Sequence, residues 1–319
     1  MESDRELLPC RDDILAVRRR IASHIHITPV MSSETLNRMF HAQLYFKCEN
    51  FQKAGAFKIR GATNAIVLLG AAGRLRGVAT HSSGNHAQAL ALAARRQGIK
   101  AYIVMPENAP AVKVNAVKDY GGIIRFCPPT LQARESTLRA VIAETGASEI
   151  HPYNDYRIIA GQSTASAELL EHCGDLELLL APVGGGGLLS GAILAARYFS
   201  PLTKVYGAEP AMADDAWRSF RSGSLVPSVN PQTVADGLRT SLGTLTFPVI
   251  MEGAEDILTV SEAGIIKAMV LIWERMKIVA EPSAAVPLAA VMEHPDVFYG
   301  KRTGIILSGG NADIRNLPL

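Results

Sequence analysis

Short apolar runs alternate with longer segments of helical periodicity, and this alternation limits the fold more than any other feature of the chain. The apolar runs occupy residues 77–80, 100–105, 123–127, 176–182, 204–208, 254–260 and 304–307. The helical patterns between them include residues 87–97, 111–120, 131–145 and 188–199. Strands that are apolar throughout are typical of parallel sheets, because the crossover helices cover both faces. The sequence therefore predicts an α/β fold with open parallel sheet structure and helices on both faces.

Composition and charge exclude several classes of protein. Hydrophobic residues make up 48% of the 319 residues, which excludes a disordered chain. The net charge of +2 and the aromatic content of 6% give no reason to expect a nucleic acid polymer as a partner. The most apolar stretch, 176–196, contains Pro182 and four consecutive glycines, so we expect no membrane span.

The cysteines and the N-terminal segment indicate the compartment. Four cysteines are scattered along the chain with no CxxC pair, which is typical of reduced thiols rather than of a disulfide framework. The segment Met1–Ile14 is charged and lacks the apolar core of a signal peptide. We therefore expect a cytoplasmic protein.

Gly184, Gly185, Gly186 and Gly187 lie between a predicted strand and a predicted helix. Glycines let backbone N–H groups approach a ligand closely, and a helix N-terminus favours an anion, so this loop suits a phosphate. It matches neither the nucleotide P-loop nor the dinucleotide-binding pattern. The alternative is a tight turn in which the glycines serve packing alone.

Lys58 stands between Phe57 and Ile59 at the start of an apolar helical segment. A lysine amine forms a Schiff base with a carbonyl when burial lowers its pKa, although most lysines are solvated surface groups. Ligands of parallel sheets bind at the carboxyl ends of the strands. The loops 81–86, 184–187 and 308–311 all follow predicted strands, so we expect them to meet at one site.

In their order along the chain, four segments together resemble fold-type II pyridoxal-phosphate (PLP) enzymes. They are residues 50–62, 81–86, 184–187 and 308–311. Within that superfamily the chain resembles the serine racemase and serine/threonine dehydratase group from about residue 28 to residue 313. The resemblance implies a homodimer. It also implies two open parallel-sheet domains in each subunit: a large PLP-binding domain, residues 1–75 and 150–319, and a small domain, residues 76–149, that closes over the substrate.

The resemblance implies a cofactor role for each matching residue. Lys58 would hold PLP as a Schiff base and then act as the base at Cα, and Ser308 would bond the pyridine nitrogen. A serine at that nitrogen leaves the ring a weaker electron sink than an aspartate would, which favours loss of a β-hydroxyl. Phe57 would pack beside the ring and Asn85 would bond its hydroxyl. The implied PLP-binding residues are Phe57, Lys58, Asn85, Gly184, Gly185, Gly186, Gly187 and Ser308.

The implied substrate-binding residues are Ser82, Ser83, Asn85, His86 and Arg134. Ser83 would lie opposite Lys58 and reprotonate the other face of Cα, which two-base racemisation requires. The alternatives are a helix cap or a plain substrate contact for Ser83, and an exposed salt bridge for Arg134. Glu209, Asp215 and the carbonyl of Ala213 resemble the family's cation site, whose hard oxygen donors suit Mg²⁺, Ca²⁺ or Mn²⁺.

The sequence thus predicts a PLP-dependent ammonia-lyase that converts serine or threonine into a 2-oxo acid and ammonia, with serine racemase activity as a second outcome. The main alternative is a threo-3-hydroxyaspartate dehydratase, in which Arg134 or His151 would bind the second carboxylate. A β-replacement enzyme and a non-catalytic PLP- or amino-acid-binding protein are the more distant alternatives.

Overall fold

The computed structural model describes residues 8–314 and 317, and ten strands form two separate sheets. The strands are β1 (Val30–Met31), β2 (Gln43–Cys48), β3 (Val78–His81), β4 (Ala101–Pro106), β5 (Ile123–Cys127), β6 (Ser148–Glu149), β7 (Leu178–Pro182), β8 (Lys204–Pro210), β9 (Asp256–Val260) and β10 (Arg302–Leu307). The larger sheet has the order β1-β2-β10-β7-β8-β9 and the smaller one β5-β4-β3-β6. Apart from the antiparallel pair of β1 and β2, all pairings are parallel, as the continuous apolar runs predict.

Helices follow the strands and cover the sheets. They are α1 (Arg11–Ile21), α2 (Glu34–Phe40), α3 (Lys58–Val67), α4 (Ala71–Arg76), α5 (Asn85–Arg96), α6 (Ala111–Asp119), α7 (Leu131–Thr145), α8 (Tyr156–Cys173), α9 (Gly187–Phe199), α10 (Asp215–Ser222), α11 (Thr246–Gly253), α12 (Glu262–Met276), α13 (Pro282–Glu293) and α14 (Pro295–Phe298). Four short 3-10 turns complete the described secondary structure. No helix among the described residues is both long and apolar enough to cross a membrane.

The central strands of the larger sheet have apolar side chains on both faces. In β7, Leu178 and Leu180 pack into the core beneath α12 and α13, whereas Leu179 and Ala181 pack into the core beneath α8 and α9. Successive side chains of a strand point to opposite faces, so a strand covered on both sides must be apolar at every position.

Local capping explains why several predicted boundaries match the structure. The helix predicted over 131–145 is α7, where the Thr130 hydroxyl accepts a hydrogen bond from the Ala133 N–H at 3.1 Å. The same helix ends at Gly146, whose φ of +67° suits glycine. Ser261 caps α12 through the Gly264 N–H, as its position before an acidic residue predicts.

The two sheets are built from different parts of the chain, one for each predicted domain. The smaller sheet is built from strands within residues 78–149, and the larger sheet from strands on either side of that segment. The domain boundaries themselves stay a prediction. The extreme ends of the predicted large domain, residues 1–7, 315–316 and 318–319, lie outside the described residues.

A buried ionic cluster fixes the helix that begins with Lys58. Arg60 has no exposed surface, and its guanidinium donates to both carboxylate oxygens of Glu49 and of Glu168 at 2.7–2.8 Å. Lys47 Nζ lies 2.6 Å from Glu168 Oε2, so two cations meet two carboxylates. Such a cluster tolerates burial because its charges are paired and hydrogen-bonded. It joins the end of β2 to α3 and α8.

Candidate active site

Lys58 is the first residue of α3. Its Nζ donates a hydrogen bond to the Pro152 carbonyl at 2.8 Å and lies 5.1 Å from the centroid of the Phe57 ring. Burial disfavours the charged ammonium and lowers the pKa of Lys58 to about 8. An amine with a lowered pKa suits both a Schiff base and proton abstraction, the two roles that the resemblance implies.

The loops 81–86 and 308–311 meet, as their positions after strands predict, and the segment before Lys58 joins them. Asn311 Nδ2 donates to Asn85 Oδ1 at 2.9 Å and to the Ala54 carbonyl at 2.7 Å. The Phe57 N–H donates to the Ser308 carbonyl at 3.0 Å. The predicted cofactor residues Phe57, Lys58, Asn85 and Ser308 therefore lie on segments that contact one another.

The glycine loop, Gly184–Gly187, leads from β7 into the first residue of α9 and leaves no room for side chains. A Cβ on Gly185 would come within 2.4 Å of the Tyr153 ring, and a Cβ on Gly184 within 2.9 Å of the Leu238 Cα. Gly186 has a φ of +87°, a conformation that favours glycine. Backbone N–H groups at a helix N-terminus bind a phosphate, so the loop fits the phosphate of PLP.

Ser82 and Ser83 lie in the loop between β3 and α5, here called the serine loop, and both are partly exposed. The N-cap of α5 is Gly84, and no side chain caps this helix, so the cap alternative for Ser83 is not realised. The Ser82 hydroxyl accepts a hydrogen bond from the Gly84 N–H at 3.3 Å. Whether Ser83 acts as a proton donor stays a prediction.

His86 points away from the loop opening. It is 2% exposed, and its Nε2 lies 3.1 Å from the Ile150 carbonyl. Burial, together with the nearby charge of Lys58, places the pKa of His86 well below its usual value. A contribution of His86 to a substrate carboxylate would therefore come from its backbone N–H at the start of α5 rather than from its ring.

Arg134 lies half-buried on α7 and forms no salt bridge with any carboxylate among the described residues. Its Nε is buried and has no hydrogen-bond partner there. Burial, and after it the Arg134 charge, lowers the pKa of His81 at the end of β3. The exposed salt bridge considered for Arg134 is absent, and the guanidinium is available to a ligand.

The predicted cation site contains two buried carboxylates. Glu209 has no exposed surface and accepts hydrogen bonds from the N–H groups of Ala216 (3.0 Å) and Trp217 (2.8 Å). Neither carboxylate oxygen of the buried Asp215 accepts a hydrogen bond of good geometry among the described residues, although the Ser228 hydroxyl lies near enough to lower the pKa of Asp215 against the effect of burial. Burial raises the pKa of Glu209 to about 9 and that of Asp215 to about 6.

These carboxylates fit a hard cation, although they do not enclose one alone. No group of three or more His, Cys, Asp and Glu side chains in the described part of the chain has the arrangement of a metal site. A cation would therefore need backbone oxygens as well, and Ala213, buried in the 3-10 turn before α10, is the residue that the resemblance names. The complete burial of the Glu209 and Asp215 carboxylates, close to each other, is the strongest structural support for it.

Two residues at the site had no role in the sequence analysis. Glu281, the N-cap of α13, accepts a hydrogen bond from Asn85 Nδ2 at 2.8 Å, and burial raises the pKa of Glu281 to about 7. Tyr153 packs against Gly185 and Gly187. The dipeptide Glu281-Pro282 before an apolar helix was the only available signal for Glu281, whereas nothing local distinguishes Tyr153.

Known proteins resemble this chain over nearly its whole length. The family described as pyridoxal-phosphate dependent enzyme matches residues 21–309. A beta-hydroxyaspartate dehydratase of Paracoccus denitrificans is 49% identical over 98% of this chain and 99% of its own length. A serine racemase of Dictyostelium discoideum is 47% identical over 96% of this chain and 95% of its own length.

Solved structures share the fold over nearly the whole chain. The crystal structure of a threonine deaminase from T.th. has a TM-score of 0.91 and 44% identity, covering 96% of this chain and 99% of that one. The predicted α/β fold with open parallel sheets is confirmed. The family model matches most of the chain and the relatives match nearly all of it, so the chain belongs to the family of pyridoxal-phosphate dependent enzymes.

Proposed function

We propose that this protein is a PLP-dependent ammonia-lyase that converts serine or threonine into a 2-oxo acid and ammonia. The observation that carries the proposal is the half-buried Lys58 amine, which bonds the Pro152 carbonyl, lies 5.1 Å from the centroid of the Phe57 ring and has its pKa lowered by desolvation to about 8. The relatives named as threonine deaminase and serine racemase act on amino acids of this class, which supports the choice of substrate.

The residues of the chain would divide the work of the elimination. Bound PLP would supply the electron sink that makes the α-proton of the amino acid acidic. The N–H groups of the glycine loop would hold its phosphate, and Ser308 and Asn85 would orient its ring. Lys58 would bind the cofactor until the amine of the substrate displaces it, and would then remove the proton from Cα. The serine loop and the first N–H groups of α5 would hold the substrate carboxylate.

Serine racemisation would follow from the same arrangement if Ser83 returned a proton to the opposite face of Cα. Ser83 lies directly before Gly84, the N-cap of α5, and is not used as the cap of this helix, which supports the proposal. Closure of residues 76–149 over the substrate would exclude water during either reaction. The ion pair between Lys113 on α6 and Asp236 beside the glycine loop already joins the two sides.

The second candidate is a 3-hydroxyaspartate dehydratase with the same machinery. Arg134 favours it, because a half-buried guanidinium without a carboxylate partner is suited to the second carboxylate of such a substrate. Two relatives carry such names, the dehydratase of Paracoccus denitrificans and an L-threo-3-hydroxyaspartate ammonia-lyase of Saccharomyces cerevisiae, which is 48% identical.

We also propose that Mg²⁺, or Ca²⁺ or Mn²⁺ in its place, binds at Glu209, Asp215 and the Ala213 carbonyl. The two carboxylates and the carbonyl are the hard oxygen donors that such cations prefer. Because the site lies beside α10 rather than at Lys58, its role would be structural.

A homodimer completes the proposal. Ile27, Phe51 and Val279 are exposed by 83%, 45% and 44%. They lie near one another, because Gln52 bonds both the N–H and the carbonyl of His26 and Asn50 Nδ2 donates to the Val279 carbonyl. Burial of such an apolar surface against a second copy would stabilise the pair.

All four cysteines are free thiols, which supports a cytoplasmic location.

The test is a substrate panel with the PLP-loaded protein. The panel contains L-serine, D-serine, L-threonine and both L-3-hydroxyaspartate diastereomers, and 2-oxo acid and serine enantiomers are measured together. We expect 2-oxo acid from serine or threonine. Activity confined to hydroxyaspartate would replace the substrate by the second candidate, and no product from any substrate would contradict the proposed function.

A further inference from the structure

The loop that follows β6 places His151 beside the backbone groups that contact His86 and Lys58. The carbonyl before it, that of Ile150, contacts the His86 ring, and the carbonyl after it, that of Pro152, accepts the hydrogen bond of Lys58. His151 therefore stands between two backbone groups that touch residues of the site. Its ring meets the Tyr153 ring edge-on at 4.6 Å and the His81 ring at 6.4 Å.

The same loop fixes the tautomer of His151. Its Nδ1 accepts hydrogen bonds from the N–H groups of Asn154 at 2.8 Å and Tyr153 at 3.3 Å. A nitrogen that accepts from two N–H groups carries no proton, so the proton of the neutral ring lies on Nε2. No hydrogen-bond acceptor meets this Nε2 in the described part of the chain.

The surroundings of His151 keep the ring uncharged. Burial is the main cause; His81 at the end of β3 and Lys58 at the start of α3 add to it, and Asp155 before α8 opposes it weakly. Together they lower the pKa of His151 to about 4. His151 is therefore unsuited to bind a second substrate carboxylate as a cation, and of the two residues considered for that role Arg134 remains.

We propose that His151 is a further catalytic residue, whose Nε2–H donates a hydrogen bond to the β-oxygen of the substrate as that oxygen leaves. The inference rests on the proposed elimination. The electron pair of the Cα–H bond becomes the Cα=Cβ bond, and the pair of the Cβ–O bond departs with the oxygen. The proton that Lys58 removes from Cα passes to the departing oxygen, which leaves as water, so Lys58 returns to the free amine and His151 keeps its own proton.

This role explains why a neutral ring stands beside the catalytic lysine. Negative charge develops on the β-oxygen as the Cβ–O bond breaks, and a fixed N–H donor in a partly water-excluded site stabilises such charge. A charged imidazolium at the same place would repel the lysine whenever the lysine holds the α-proton. The backbone N–H groups at Nδ1 thus orient the donor and select its form.

Two substitutions separate the donor from the loop contacts. His151→Asn places an amide oxygen near the position of Nδ1 and removes the donor at Nε2, whereas His151→Gln places an amide N–H near the position of Nε2. The substrates are L-serine and β-chloro-L-alanine, because chloride departs without a hydrogen-bond donor of this kind. All assays use the PLP-loaded protein.

We expect His151→Asn to lower kcat for serine by about 10²-fold, the usual loss when one such donor is removed. Its loss with β-chloroalanine should be at least about tenfold smaller, and His151→Gln should recover part of the serine activity. Equal losses on both substrates, or full serine activity in His151→Asn, would overturn the proposal, because His151 would then serve the loop alone.

A spectroscopic measurement keeps this inference apart from the proposed function. In PLP-loaded protein labelled with ¹⁵N-histidine, the signals that disappear in His151→Asn identify His151. We expect the Nε2–H tautomer near pH 7. A proton on Nδ1, or a charged ring, would overturn the inference even if the wild type eliminates water from serine. Absence of elimination in the wild type would instead contradict the proposed function.

Discussion

At the scale of single residues, burial sets the charge of the groups at the site. It lowers the pKa of Lys58 to about 8 and raises that of Glu281 to about 7, because an apolar environment disfavours the charged form of either group. Arg60 stays charged despite its complete burial, since Glu49 and Glu168 surround its guanidinium. The site therefore combines a lysine that readily gives up its proton with an ionic cluster that cannot.

Asp215 gives a prediction about pH. Burial raises its pKa from an ordinary value of 3.8 to about 6, so the folded apo-site binds more protons than the unfolded chain, and its contribution to stability falls as pH rises from about 4 to 6. A cation must displace those protons, so it binds better at high pH. We expect Mg²⁺ to raise the Tm of the PLP-loaded protein clearly at pH 8 and far less at pH 5.

Asp215→Asn is the control for this measurement, since it should abolish the response to Mg²⁺ at both pH values. An equal rise of the Tm at pH 5 and pH 8 would contradict the assignment, as would an unchanged response in Asp215→Asn.

At the scale of elements, the turn from β7 into α9 would hold the phosphate of PLP because its residues carry no Cβ. We expect Gly185→Ala to fold and to bind PLP about tenfold or more weakly, because its methyl group would meet the Tyr153 ring, and overpacking costs about 1–3 kcal/mol. The PLP dissociation constant, measured by titration of the apoenzyme, checks this expectation.

Gly70→Ala is a matched control, because a Cβ at Gly70 would meet no atom within 4 Å. It should bind PLP like the wild type. Unchanged PLP affinity in Gly185→Ala would show that this turn does not hold the phosphate.

The same scale shows how much the sequence could predict. The bounds of α7 and the start of α12 depend on neighbours such as Thr130 and Ser261, so local sequence predicts them well. The contacts of the site depend on distant segments: Lys58 Nζ meets the carbonyl of Pro152, 94 positions away, and Asn85 meets Glu281, 196 positions away. No local pattern specifies such pairs, which is why Glu281 and Tyr153 were missed and the inward orientation of His86 was not foreseen.

At the scale of the whole molecule, the residues proposed for the site come from both sheets. Lys58, the glycine loop and Ser308 follow strands of the larger sheet, whereas the serine loop and Arg134 belong to the smaller sheet and its helices. The proposed reaction needs the two sets of residues to come together around the substrate. The Lys113–Asp236 ion pair directly links α6, beside the smaller sheet, to the segment beside the glycine loop.

We expect Lys113→Ala to raise KM for serine by about two- to fivefold with a smaller change in kcat, because an ion pair of this kind contributes up to about 1 kcal/mol to closure. High salt should raise KM of the wild type toward that of the variant. Arg125→Ala is the control, since the Arg125–Glu144 pair is exposed and lies within the smaller sheet and its helices. Equal KM values for Lys113→Ala and the wild type at low salt would contradict a role in closure.

The most direct test of the proposed elimination is the rate of 2-oxo acid release from L-serine and L-threonine by the PLP-loaded wild type and by Lys58→Ala. The exposed Lys267 provides the control variant Lys267→Ala. We expect Lys58→Ala to lose about 10³-fold or more of the wild-type rate, since it lacks the base at Cα, and Lys267→Ala to keep that rate. A Lys58→Ala rate comparable to that of the wild type would contradict the role of Lys58 as the base.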